Sequence, residues 1–191
     1  MIEQEDLIKI RLSEPNMHTC VEHATLCAIG GASHIRSVED REDNLNMDQI
    51  IGQVCTCAAS MYLLGEEDGF HRYNEVREAQ NLTPYDGDGG DDIPPLKIDI
   101  KGSFVKNTSK ALLTFNLLVR PRELHNGFTY VLALSRPPHV VLMGWAHSKD
   151  FSEGDLQEYG IFKGAYRLEA SRLRPMTDLL EILADNRNSA G

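Results

Sequence analysis

The sequence predicts a mixed α/β (α+β) fold with a central sheet of about five strands flanked by helices, and three observations carry that expectation. From Met47 to Leu64 an apolar stripe recurs at helical spacing: Met47, Ile50, Ile51, Val54, Ala58, Met61 and Tyr62. Downstream, residues 112–120, 130–136 and 139–147 are rich in branched and aromatic side chains, and each run is bounded by Pro, Gly or Asn. Between these regions, Ile98 to Phe104 alternates with the period of two that belongs to a strand.

With 191 residues, 41% of them hydrophobic, the chain is long enough for one domain with a sizeable core. No apolar run reaches the roughly 18 residues that a membrane span requires. The start, MIEQEDLIKI, lacks the basic and apolar pattern of a secretion signal, so a cytoplasmic protein is expected. Four cysteines, Cys20, Cys27, Cys55 and Cys57, read as buried reduced thiols. Cys55 and Cys57 diverge by about 200° on a helix and cannot grip one ion together. His23 and Cys27, four apart, are the alternative that would suit zinc.

In chain order, residues 1–18 read as an N-terminal arm. Thr19 to Ile29 has helical spacing and is closed by Gly30-Gly31, and residues 36–48 read as a charged, exposed connection. The helix that follows carries no charged side chain from Gln49 to Leu64. Its second face, Gln49, Gln53, Thr56 and Ser60, either touches other protein or contributes to a site, with Gln53 the candidate ligand or orienter. Residues 66–86 read as an ordered loop with a short helix over 73–81. After the strands, Ser148 to Phe151 suggests a helical turn, 173–184 an amphipathic helix, and 185–191 a frayed tail. No repeat or linker divides the chain, so residues 1–191 are expected to form a single domain.

The chemistry concentrates in Gly87 to Ser103, which packs Asp88, Asp91, Asp92 and Asp99 together with Lys101. Pro94-Pro95 forces the chain to fold back between two short extended runs, which brings Asp91 or Asp92 beside Asp99. On the second run Asp99 and Lys101 share one face while Ile98 and Ile100 take the other. Carboxylates beside an ammonium suit a hard divalent cation that must also meet an anion.

Charge is unevenly distributed. Overall it is −10, yet residues 101–137 set Lys101, Lys106, Lys110, Arg120, Arg122 and Arg136 against one acid, Glu123. A net acidic chain argues against a protein that simply coats nucleic acid. A basic stretch starting at an acidic turn is the layout of a metal pocket that receives a polyanion, and equally of a solvated charged face.

Taken together, the uncharged helix with Gly52-Gln53, the Gly-Asp-Gly-Gly-x-Asp turn at 87–92, Ile-Asp-Ile-Lys-Gly-Ser at 98–103 and the strands NLLVRPRELH, YVLAL and VVLMGWAH resemble the PD-(D/E)xK nuclease superfamily, the restriction-endonuclease-like proteins, and most of all its small phage and bacterial members. The resemblance spans roughly residues 45–150. It implies a restriction-endonuclease-like core and a phosphodiester hydrolase acting on nucleic acid, DNA before RNA. Mg²⁺ or Mn²⁺ would be bound by Asp92, Asp99 and the Ile100 carbonyl, with Lys101 positioning or activating the attacking water. Family members often add a helical Glu; here Gln53 stands nearest to that role, and Asp91 or Asp88 could replace Asp92 as ligand. A homodimer is compatible, because paired cuts in a duplex require two sites. The alternative is the same fold kept as a module that binds nucleic acid or protein without hydrolysis.

Overall fold

The computed structural model describes residues 2–29, 41–81, 91–94, 96–106, 114–159 and 162–189. Four helices and seven strands are found there: β1 (Ile8–Arg11), α1 (Glu14–Ile29), α2 (Arg41–Leu64), α3 (Glu66–Asn81), β2 (Ile98–Phe104), β3 (Asn116–Val119), β4 (Thr129–Arg136), β5 (His139–His147), β6 (Leu156–Tyr159), β7 (Phe162–Glu169) and α4 (Met176–Ser189).

The strands form two sheets rather than the single sheet of about five expected from sequence. One sheet has the order β1-β5-β4-β2 and is mixed, since β2 runs parallel to β4 while the other pairs are antiparallel. The second, β3-β7-β6, is antiparallel. Its β6 and β7 are the strands that the composition conceals, because Gln157, Glu158, Arg167 and Glu169 interrupt their apolar pattern.

Strand alternation sorts the side chains of the mixed sheet into two cores. Ile98, Ile100, Val131, Ala133, Val140 and Leu142 pack against residues of α2, α3 and α4 such as Val54, Tyr73 and Met176. Tyr130, Leu132, Leu134, Val141 and Met143 pack with Leu117, Val119 and Leu168 of the second sheet. The result is three layers: helices, mixed sheet, second sheet. The α2 helix approaches β2 so closely that a Cβ on Gly102 would lie 3.0 Å from Cys55 Sγ and 3.4 Å from the Ile51 carbonyl oxygen. This contact fixes the even-numbered face of β2 toward the helices. The odd-numbered face, with Asp99, Lys101 and Ser103, looks toward the second sheet.

Helix α2 is buried on both sides. Gln53, Thr56 and Ser60 are buried along with Ile51, Val54, Ala58 and Met61 of the apolar stripe, while Ile50 and Tyr62 are half-buried and Met47 is exposed, so the length of the helix after Met47 has little solvated face to carry charge. It begins at Arg41, inside the segment expected to be a connection, because Arg, Glu, Leu and Met sustain a helix as readily as a solvated loop. Gly65, with φ of +96°, ends it and allows α3 to start at the next residue. Glu66, Glu67 and Asp68 sit in the first turn of α3, where the helix dipole favours negative charge, so this helix starts seven residues earlier than the sequence suggested.

Candidate active site

The acidic turn is built by Asp91. Its Oδ1 accepts hydrogen bonds from the backbone N–H groups of Ile93 at 3.0 Å and Ile98 at 2.9 Å, and its Oδ2 accepts from Lys97 N at 2.7 Å. Lys97 has φ of 55°, and the Asp91 bond holds that unusual conformation in place. Burial raises the Asp91 pKa even against these three donors. Both oxygens are thus committed to the backbone. Asp91 therefore shapes the turn, while the Asp92 side chain reaches the strand at Ile100 N. Asp88 and the glycines of 87–90 lie outside the described residues.

Asp92 is fixed from two directions. Its Oδ2 accepts from Ile100 N at 2.8 Å, and its Oδ1 accepts from Arg77 Nη2 of α3 at 2.6 Å. Ile98 O meanwhile accepts from Asp92 N at 2.9 Å and Ile93 N at 3.3 Å. These even-numbered peptide groups point away from β4, as the alternation of a parallel pair requires. The Ile100 carbonyl belongs to the same outward-facing set. The described residues 91–94 and 96–97 form a turn held by the Asp91 and Asp92 side chains, and the extended run expected before it lies outside the described residues.

On the odd-numbered face of β2, Asp99 Oδ2 lies 2.8 Å from Lys101 Nζ, as period-two spacing predicts. The same ammonium donates to Glu123 Oε2 at 3.0 Å. Glu123 closes a short 3-10 turn over Pro121–Glu123 between β3 and β4. Its carboxylate also receives the Arg120 guanidinium and the Arg120 backbone N–H, and its carbonyl accepts the Tyr130 hydroxyl at 2.7 Å. Asp99 and Glu123 are each only 4% exposed. Lys101 and Glu123 line a cleft of about 310 Å³ with Ser103, Asn116, Arg120 and Leu118.

Burial and charge act in opposite directions here. Burial pushes the Asp99 carboxyl up to about 7; Lys101 pulls it down, while the Asp92 and Glu123 carboxylates add to the rise. Burial would also raise Glu123, but the Arg120 hydrogen bond and the Lys101 charge hold it at about 2. For Lys101, burial opposes the charge, yet Asp99 and Glu123 outweigh it and raise the pKa. Without a cation beside it, Lys101 is therefore an ammonium and not a base.

The sequence-predicted residues part company at Gln53. The structure places it between α1, α2 and α3, where its Oε1 accepts the Tyr73 hydroxyl at 3.0 Å and its Nε2 lies 3.6 Å from Cys27 Sγ. Tyr73 in turn stands under the Arg77 guanidinium, 6.0 Å from ring centroid to Cζ. Gln53 thus reaches Asp92 through two intervening side chains and is not beside Asp99 or Lys101. Of the pair that would suit zinc, His23 Nε2 bonds Asn74 Oδ1 at 2.8 Å, and Cys27 Sγ is the atom that Gln53 Nε2 approaches. Cys20, Cys27, Cys55 and Cys57 are not joined in disulfides. Glu123 belongs to no motif, and its signal in the sequence is the charge pattern, where it is the sole acid in a basic segment of 37 residues, 101–137.

The donors fit a divalent cation in type: Asp92, Asp99, Glu123 and the Ile100 carbonyl are all hard oxygens. The chain's own cations already face them, Arg77 on Asp92, Lys101 on Asp99 and Glu123, and Arg120 on Glu123. Among the described residues no group of three or more His, Cys, Asp or Glu is placed to hold a metal ion. Among the described residues no helix is long and apolar enough to cross a membrane. Comparison of the chain with protein-family models, curated proteins and solved structures gives no match.

Proposed function

We infer that the chain is a metal-dependent phosphodiester hydrolase with a restriction-endonuclease-like core, acting on nucleic acid, DNA before RNA. The observation that carries this reading is the meeting of Asp99, Lys101 and Glu123 beside a cleft that also presents Arg120, Ser103 and Asn116. Two carboxylates and two cations at one opening can hold a metal and a phosphate group together. Asp99 and Asp92 would hold the ion with the Ile100 carbonyl. When bound, it supplies a water of lowered pKa and neutralises charge on the phosphoryl oxygens. Lys101 orients the water and stabilises the charge that develops on the phosphate, and Arg120 grips a neighbouring phosphate oxygen.

One observation favours a second reading, the same scaffold used as a binding module without hydrolysis. Each site carboxylate is already matched by a cation of the chain, and no helical carboxylate of the described residues joins the cluster. Labelled single- and double-stranded DNA and RNA, incubated with Mg²⁺, Mn²⁺ or EDTA, separate the two. The hydrolase reading expects metal-dependent cleavage that disappears in Asp99→Ala and Lys101→Ala. Cleavage that survives in Asp99→Ala would sink the assigned roles, and binding without cleavage under every metal condition would establish the module.

A further inference from the structure

We propose that Cys20 and Cys57 are a dithiol pair that hydroperoxides convert to a disulfide, clamping α1 to α2. The pair belongs to the core between the helices and the mixed sheet, whereas Lys101 and Glu123 line the cleft, so the proposal stands independently of the hydrolase reading.

The register of the two helices brings the sulfurs together. Asn16 Nδ2 of α1 lies 3.5 Å from Met61 Sδ of α2, and Cys27 Sγ of α1 lies 3.6 Å from Gln53 Nε2 of α2. Partners that advance along one helix go back along the other, so α1 and α2 run antiparallel. Cys20 is one turn beyond Asn16 and Cys57 one turn before Met61, which sets them opposite each other between the two contacts. There Cys57 hydrogen-bonds Cys20, and its Sγ is 3.8 Å from Met61 Sδ. Both cysteines are fully buried. Cys55 leaves the same helix in another direction, toward Gly102 of β2.

The surroundings give the two thiols different tasks. The Cys57 hydrogen bond, helped by Tyr73 and by the Arg77 charge, holds the Cys20 thiol below its usual range in spite of burial. The bond to Cys20, together with burial, raises Cys57. Cys20 is therefore the sulfur that attacks and Cys57 the one that resolves. In the first step Cys20 takes the terminal oxygen of the hydroperoxide as its O–O bond breaks; a sulfenic acid forms, and the thiol proton leaves on the alcohol or water released. In the second, Cys57 displaces the sulfenic hydroxyl, which departs as water with the Cys57 proton. The two sulfurs lose two electrons in total, and the peroxide takes them. Because both are sealed from water, the reaction runs through a local opening of the α1–α2 seam, which a small peroxide can use.

The test is treatment of the full reduced chain with hydrogen peroxide, alkylation of the remaining thiols in urea, and peptide mass mapping. A bond between the peptides of Cys20 and Cys57 is expected, with two of the four thiols lost and both restored by dithiothreitol. The oxidised chain is expected to melt at least about 5 °C above the reduced one, because the bond closes the long loop 21–56. Cys57→Ser is expected to stop at a sulfenic acid on Cys20, captured by dimedone on unfolding, whereas Cys27→Ser forms the bond as the wild type does. Four intact thiols after a treatment that oxidises the same chain in urea overturn the proposal. So does a bond through Cys27 or Cys55, an oxidised chain that melts below the reduced one, or a folded Cys57→Ser chain without the Cys20 adduct. Mapping of the wild type decides the matter even where Cys57→Ser fails to fold.

Discussion

Arg77 Nη2 and Asp92 Oδ1 meet at 2.6 Å, joining the C-terminal half of α3 to the acidic turn. The arginine side chain is 8% exposed and its partner 20%, so the pair sits largely out of water. Removing one partner strands the other's charge. Arg77→Met is expected to cost about 3 kcal/mol in chemical denaturation, and the Arg77→Met/Asp92→Asn double variant to recover part of that loss. Additive losses in the two single variants would show that the contact contributes nothing of its own.

Asp91 and Asp92 are neighbours with different tasks, which substitution should separate. Asp91→Ala leaves three backbone N–H groups without their acceptor and releases Lys97 from its left-handed conformation. The expected loss is about 2–4 kcal/mol of stability, with Asp91→Asn retaining part of it. Thermal melts of the two variants decide the matter: an Asp91→Ala protein as stable as the wild type would contradict the structural role.

Glu123 is the acid that ties Lys101 and Arg120 together. Replacing it with Gln keeps an acceptor but removes the charge, so a modest loss of about 1–3 kcal/mol in stability is expected. On the hydrolase reading, the rate falls about 100-fold or more, because Lys101 loses the group that holds it at the cleft. Single-turnover cleavage by well-folded Glu123→Gln, compared with Glu123→Asp, measures this. Full activity in the Gln variant would remove Glu123 from the site.

A pH dependence follows from Asp155, which ends the 3-10 turn just before β6. The Arg172 guanidinium hydrogen-bonds its carboxylate and, against the effect of burial, holds the pKa at about 2, with the Ser152 N–H and hydroxyl assisting at 2.8 Å each. A folded-state pKa below the unfolded value means stability that is present above about pH 4 and lost as pH falls toward about 2. The stability difference between wild type and Asp155→Asn should therefore shrink over that interval. A difference that stays constant in acid denaturation would contradict the link.

The local rules of strands and helices made much of this arrangement readable. Alternation alone put Asp99 and Lys101 on one face of β2, and the lack of charge from Gln49 to Leu64 marked a helix face in contact with other protein or with a site, of which the structure shows burial of Gln53, Thr56 and Ser60. What escaped was set by contacts distant in sequence. Glu123 reaches Lys101 only because β3 and its following turn fold over the odd-numbered face of β2. Gln53 is uncharged and suitably spaced, yet tertiary packing turns it toward Tyr73. Strands β6 and β7 were hidden because polar residues occupy both of their faces in places, so no clean period appears. Asp91 and Asp92 are chemically identical, and only the turn's hydrogen bonds distinguish them.

Lys101 is carried by the mixed sheet, whereas Glu123 hangs on the turn that leaves the second sheet. The 3.0 Å between their charged atoms is therefore a gauge of how the two layers sit on each other. Sliding one sheet past the other by little more than an atom's width would break the contact and leave both strands otherwise intact. Substitutions in the shared core, at Leu117, Leu132 or Leu168, can alter the chemistry of the cleft without touching any residue that lines it with charge.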